Sequence, residues 1–281
     1  MTQWLRLVGW RHIVGVLAVA FSLFPIVFVV SAAVNPVGTL SSTQLLPTGA
    51  GLGNFTDLFT KTSFGRWYLN SVLIAGFASA AGVFLSMLAA YAFSRMRFAG
   101  RRVGLMSLLL IQMFPQFLAL VAIYQMFTTI GGYYPAIGLN TQAGLMLLYL
   151  GGALGVNTWL MKGFLDTVPR ELDESAVMDG ATHAQTFFRI TLPLVTPILA
   201  VTALLGFIGT INEVLMASVF LTSPETKTLA VGLYGLLQGQ RNANFGMFAA
   251  GSLLTAVPTV LLFQYLQRYI VSGLTAGAVK G

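Results

Sequence analysis

The sequence predicts an all-α polytopic membrane protein, with six transmembrane helices and a polar helix–turn–helix between spans four and five. Three observations carry this. The chain of 281 residues is 56% hydrophobic and only 8% charged, against roughly 25% charged for a soluble domain. Six apolar stretches are long enough to cross a hydrocarbon core, which takes about 20 helical residues. One segment between them, residues 162–194, is far too polar to be a span. A soluble protein with so few charges would expose large apolar patches and aggregate. Helix is the choice because unsatisfied backbone cannot face lipid and nothing alternates like barrel strands.

The spans fall near 12–34, 68–93, 103–128, 143–161, 195–217 and 248–270. The first has Arg6 and Arg11 ahead of it and Ser31-Ala32-Ala33 behind it, like a signal peptide. Its apolar run is too long for that and more spans follow, so it is read as retained. Pro25, Pro115 and Pro258 fall inside spans and are expected to bend them. Gly151, Gly152 and Gly155, and Gly206 with Gly209, suit close helix packing rather than a pathway. Glu213 is the carboxylate placed within a span, where burial is costly unless it is paired, and a structural hydrogen bond is expected for it. His12 and His183 read as interfacial polar residues.

Charge sets the orientation. Arg6, Arg11, Arg95, Arg97, Arg101, Arg102, Lys162, Arg170, Arg189, Arg268 and Lys280 lie on one side; Lys61, Arg66, Lys227 and Arg241 lie on the other. The positive-inside rule puts both termini in the cytoplasm, and the chain is treated as one membrane domain over 1–281. The net charge of +7 therefore reflects topology, with membrane lipid and not nucleic acid as its partner. Cysteine is absent and only two histidines occur, which removes disulfides and leaves little for a metal. No cofactor is expected.

Residues 162–194 gather Lys162, Asp166, Arg170, Glu171, Asp173, Glu174, Asp179 and Arg189. Pro169 suits a first turn, and three acids follow it at the positive end of a helix dipole. Gly180 allows a break. Thr182 with Gln185 fits a capping box opening a second helix through Phe187, Phe188 and Ile190. Pro193 and Pro197 close it and start the next span. The product is a helix–turn–helix at the inner membrane face offering small and apolar side chains such as Ala176, Met178 and Ala181. It could lie on lipid headgroups. Five carboxylates against three bases suit an anionic surface poorly, which favours docking of a cytoplasmic partner.

Glu174-Ser175-Ala176, Asp179-Gly180-Ala181, Phe187, Ile190, Leu192-Pro193 and Pro197 resemble the EAA loop of permeases from ATP-binding-cassette (ABC) importers. Ser175 for the first alanine is a small-for-small departure. The tail Gly273–Gly281 is similar to that of carbohydrate-importer permeases, and Asn212-Glu213-Val214, Ala217-Ser218 and Thr228–Gly232 resemble the smaller permease of maltose importers. The resemblance covers about the last 125 residues well and the rest in layout only. It implies an inner-membrane sugar permease working by alternating access. The implied partners are a second, larger permease, two ATP-binding subunits and an extracytoplasmic sugar-binding protein. It makes the loop a coupling helix seated on the ATPase through Glu174, Ser175, Ala176, Met178, Asp179, Gly180 and Ala181, with Glu174 and Gly180 shaping the turn and Ala176 kept small for close approach. The tail, flexible in its Gly/Ala content, would reach the ATPase through Thr275, Gly277 and Lys280. It is not a phosphate loop, because the G-K-[ST] of that motif is missing.

The loop 236–247 is amide-rich in Gln238, Gln240, Asn242 and Asn244, suited to sugar hydroxyls, and its position matches the family loop that enters the binding protein. Aromatic and amide groups also suit sugars within the membrane; Tyr91, Tyr124, Gln112, Tyr149 and Asn157 are unordered candidates. No catalytic residue is expected. The alternatives are an ABC permease for trehalose, glycerol phosphate or a polyol, and an ion-coupled transporter. The latter would need paired titratable groups where only Glu213 stands.

Overall fold

The structure is a computed structural model that describes residues 9–36, 49–238 and 244–278; Arg6, Gln240, Asn242 and Lys280 lie outside the described residues. It is helical, with no strand among the described residues. The helices are α1 Trp10–Val34, α2 Gly53–Lys61, α3 Phe64–Arg95, α4 Arg101–Gln112, α5 Gln116–Tyr133, α6 Gln142–Ala153, α7 Val156–Leu165 and α8 Glu171–Met178. They continue with α9 His183–Leu194, α10 Thr196–Ile211, α11 Leu215–Phe220, α12 Leu229–Leu237 and α13 Phe245–Ala278.

Three helices are long and apolar enough to span a bilayer, namely α1, α3 and Phe245–Ile270 of α13. The pairs α6–α7, bent by 50°, and α9–α10, bent by 76°, reach the same standard when each is counted as one, giving up to five. The expected third span, 103–128, is divided into α4 and α5 at Pro115, whose ψ of 114° leaves the helical region. Proline there removes a ladder donor and displaces the preceding residue from helix, while Met113 and Phe114 keep the hydropathy high across the break. Pro25 and Pro258 sit inside continuous helices.

The chain divides into two compact units, residues 1–65 with 232–257 and residues 66–231 with 258–281. In the first, α1 exposes an apolar surface all round, Phe21 at 83% and Val16 at 68%, which only a lipid solvent tolerates. Its end is the exception. Ser31, Ala32 and Ala33 are buried, and the Asn54 amide donates to the carbonyls of Ala33 at 3.0 Å and Asn35 at 2.8 Å. Small residues let the two backbones approach.

In the second unit, α3 contributes to three cores, one of them Ala75 with Phe207 and Ile211. Ile74 packs with Phe127, Leu145, Phe220 and Leu221, while Met87, Ala90 and Tyr91 pack with Met161, Leu165, Phe187 and Val195. The neighbouring α6 and α7 are interrupted where side chains replace the lost ladder bonds. Ser86 donates to Ala153 O at 2.9 Å, Gln112 to Gly152 O at 3.2 Å and Thr158 to Leu154 O, so the carbonyls freed between α6 and α7 are satisfied. Broken helices persist at membrane depth on this condition.

Candidate functional site

The helix–turn–helix of 171–194 forms as its residues dictate. Glu171, Asp173 and Glu174 occupy the first turn of α8, opposite the dipole's positive end. At its other end Gly180 has φ +84°, the Ala181 N–H reaches Ala176 O at 2.9 Å and the Gly180 N–H reaches Val177 O at 3.0 Å. This pair of bonds is a Schellman closure, which needs a left-handed residue at that position. The capping box is present: Thr182 accepts from the Gln185 N–H at 3.3 Å and the Gln185 side chain accepts from the Thr182 N–H at 2.8 Å. A π turn over Phe187–Thr191 then leads to the sharp bend before α10.

Of the residues expected to face a partner, Glu174, Ser175, Met178, Asp179 and Gly180 are exposed and Ala181 is partly so. Met178 is 87% exposed, an apolar side chain held out on a polar turn. Ala176 is not offered outward. It is buried at 6%, and α9 packs back against α8.

The element is fastened to the end of α3. Arg95 forms an ion pair with Asp173 at 2.6 Å, with both side chains largely withdrawn from solvent, and donates to Val168 O at 2.9 Å. Arg170 donates to Ser94 O at 2.9 Å, Ser94 to Asp166 at 2.6 Å and Thr191 to the second Asp173 oxygen at 3.0 Å. Burial would raise the Asp166 carboxyl, but hydrogen bonds from Lys162 and Ser94 and the charges of Lys162 and Arg95 hold it below its ordinary value. Such a group stabilises the fold above its unfolded pKa, and the contribution goes as pH falls through the lowered value.

A cavity of about 1040 Å³ opens beside the helix breaks. Gln112, Tyr149 and Asn157 line it, as does Glu213. Tyr91 does not; it is buried against Phe187. Tyr124 is exposed and absent from the lining. Most of the glycines read as packing residues face open space instead: Gly151, Gly152, Gly206 and Gly209 line the cavity, and only Gly206 among them has a neighbour that an added Cβ would touch. Gly155 is a true close approach, where a Cβ would collide with Gln112.

Glu213 lies in the break between α10 and α11, and its carboxylate accepts the Met216 N–H at 2.8 Å, the Ala217 N–H at 2.9 Å and the Tyr149 hydroxyl at 2.7 Å. It therefore caps α11 and ties it to α6, the structural hydrogen bonding expected of it. Glu213→Ala should cost about 2 kcal/mol and Tyr149→Phe about 1 kcal/mol, read as falls in the thermal midpoint of the detergent-solubilised protein. Equal losses would remove the capping role.

At the opposite end of α3, sequence reasoning missed a second knot. Asn140, at φ +60°, accepts through Oδ1 from Thr222 N at 3.1 Å, Ser223 N at 3.0 Å and the Thr226 hydroxyl at 2.7 Å, and donates to Ser223 Oγ at 2.6 Å. Trp67 donates to Pro224 O at 2.7 Å; Asn70 donates to Glu225 O at 2.8 Å and Lys227 O at 3.0 Å; Ser71 accepts from Leu229 N at 2.6 Å. Of the residues expected to meet the sugar-binding protein, Gln238 is exposed and Asn244 partly buried. The tail expected to be flexible is helical through Ala278, so Thr275 and Gly277 sit on α13.

Residues 82–275 match the family described as binding-protein-dependent transport system inner membrane component. The chain is 42% identical over 260 residues to the maltodextrin transport system permease protein MdxG of Bacillus subtilis, covering 92% of this chain and 91% of that protein. It is 40% identical over 293 residues to the maltose/maltodextrin transport system permease protein MalG of Yersinia pestis, covering 100% and 95%. It is also 40% identical over 262 residues to the galactooligosaccharides transport system permease protein GanQ of Bacillus subtilis, covering 92% and 90%. Its fold is similar to that of a bacterial ABC transporter involved in import of the acidic polysaccharide alginate, with TM-score 0.76 and 22% identity over 94% of this chain and 97% of that one.

Proposed function

The chain belongs to the family of binding-protein-dependent transport system inner membrane components as a sugar ABC importer permease, and from this we propose that it carries maltose or maltodextrins by alternating access. The helix–turn–helix at 171–194 carries the reading. It is a rigid turn with Glu174, Met178 and Asp179 outward, fastened to a helix that passes a large cavity, as force transfer from an ATPase requires. In this reading the chain is one permease domain with six spans, the third being α4–α5 together, and with both termini in the cytoplasm.

One of the importer's two ATP-binding subunits docks at Glu174, Ser175 and Met178–Ala181, with Ala176 supporting the turn from beneath. Thr275, Gly277 and Lys280 of the tail add a second contact. A larger second permease completes the path, and an extracytoplasmic sugar-binding protein delivers the sugar to the loop holding Gln238, Gln240, Asn242 and Asn244. The chain itself performs no chemistry. Gln112, Tyr149 and Asn157 offer hydrogen bonds to passing hydroxyls.

The test is purification of the complex from its own membrane, reconstitution in liposomes and measurement of ATP hydrolysis with each candidate sugar. Maltodextrins are expected to raise hydrolysis and to accumulate inside. Stimulation by galactooligosaccharides alone would move the substrate to the chemistry in the name of the GanQ relative. Uptake that an uncoupler stops and ATP does not support would sink the ABC reading.

A further inference from the structure

The cavity is bordered by helices that break beside it, at 113–115 between α4 and α5, at 154–155 between α6 and α7, and at 212–214 between α10 and α11. A broken helix can absorb displacement by changing its bend. α3 passes the same cavity, lining it with Ala78, Ser79, Gly82 and Val83, and has no break over 32 residues, roughly 48 Å of continuous ladder. It cannot absorb movement in this way; what moves one end must move the other.

Both ends are held. At one, Arg95 reaches Asp173 and Val168, and Ser94 is gripped by Arg170 and Asp166, all within or next to the helix–turn–helix. At the other, Trp67, Asn70 and Ser71 bond the backbone of 224–229. The gripped groups at this end are mostly main-chain atoms, so the segment follows the helix and not a side-chain rotamer. Asn70 is itself fixed by the Gln142 amide at 2.5 Å.

We propose that α3 is the push rod of the transporter, carrying displacement of the docked 171–194 element to the 224–229 segment held at its other end, with Arg95 and Asn70 as the positioning residues at its two ends. The inference rests on the docking role proposed above and adds the route that the force takes. Arg95 suits the task because its pair with Asp173 is shielded; a shielded ion pair that loses one partner leaves an uncompensated charge, so the joint does not slip. The bent spans then yield around the cavity as the rod shifts.

The experiment uses the whole importer in liposomes, with Arg95→Met, the swap Arg95→Asp with Asp173→Arg, and Asn70→Ala. The readouts are ATPase subunits recovered with this chain, ATP hydrolysis, and sugar uptake. Arg95→Met and Asn70→Ala are expected to keep their ATPase partners and their hydrolysis while uptake falls about tenfold. The swap should recover uptake to within about threefold of the parent. A merely stabilising role would lower all three readouts together. Uptake within about twofold of the parent in Asn70→Ala overturns the rod, and so does the same result in Arg95→Met. If Arg95→Met fails to assemble, Asn70→Ala decides alone, since its site is at the other end of α3. Failure of the docking role reads differently: Gly180→Asp would then recover the ATPase as the unmodified chain does.

Discussion

Asn140→Ala is expected to lower the stability of the detergent-solubilised protein by about 3 kcal/mol, or roughly 8 °C in thermal midpoint. The loss has two parts. Four side-chain bonds disappear, to Thr222, Ser223 twice and Thr226, and two of the abandoned groups are backbone donors that the alanine methyl cannot satisfy. Alanine must also hold φ near +60°, which asparagine tolerates and alanine does not, at about 1 kcal/mol. The bond from the Asn140 N–H to Phe220 O at 2.7 Å survives in every variant. A series separates the parts. Asn140→Asp keeps all three acceptor bonds and should cost least. Asn140→Gly relieves the backbone but loses the side chain, and should fall between. If alanine and aspartate behave alike, Asn140 is a surface residue and the knot is not holding the 222–226 turn.

What could be read from the sequence was what is local. The turn at Gly180 and the capping box of Thr182 with Gln185 each depend on residues within a few positions, and both formed as expected. The acids at 171–174 lie at the helix start for the same reason. Asn140 could not be found this way, since its partners lie 82 to 86 residues further on and nothing in its neighbours marks it. Ala176 shows a subtler limit. A small residue on an amphipathic helix is consistent with either face, and only the folded chain shows that it is buried. Hydropathy reads length and apolarity but not continuity, so the run 103–128 hid the break at Pro115 behind Met113 and Phe114. The same blindness placed Glu213 within span five. It stands where the helix has ended, in a break that borders the cavity, and glycines that read as packing sites fell around that cavity.

Gly180→Asp should reduce recovery of the ATPase subunits about a hundredfold while the amount of chain in the membrane stays within about twofold. The argument starts from what the substitution does inside the chain, which is little. No atom lies within 4 Å of where a Cβ would sit, so there is no clash. The left-handed φ of +84° costs aspartate less than most residues, since Asp and Asn visit that region. The Schellman bonds from Ala181 to Ala176 and from Gly180 to Val177 involve only backbone and can persist. The carboxylate instead projects from an exposed turn between Met178 and Asp179 into the space that a docked partner fills, where an unpaired buried charge costs several kcal/mol. Two further variants separate docking from turn shape. Gly180→Asn carries the same backbone tolerance without the charge, and should retain far more ATPase than aspartate. Gly180→Ala adds only the strain of a left-handed alanine, about 1 kcal/mol, and should lose about fivefold. If alanine proves worse than aspartate, the turn matters for its shape alone and the surface around it touches no partner. If all three recover the ATPase as the parent does, the 171–194 element docks nothing, and the route through Arg95 loses its source of force.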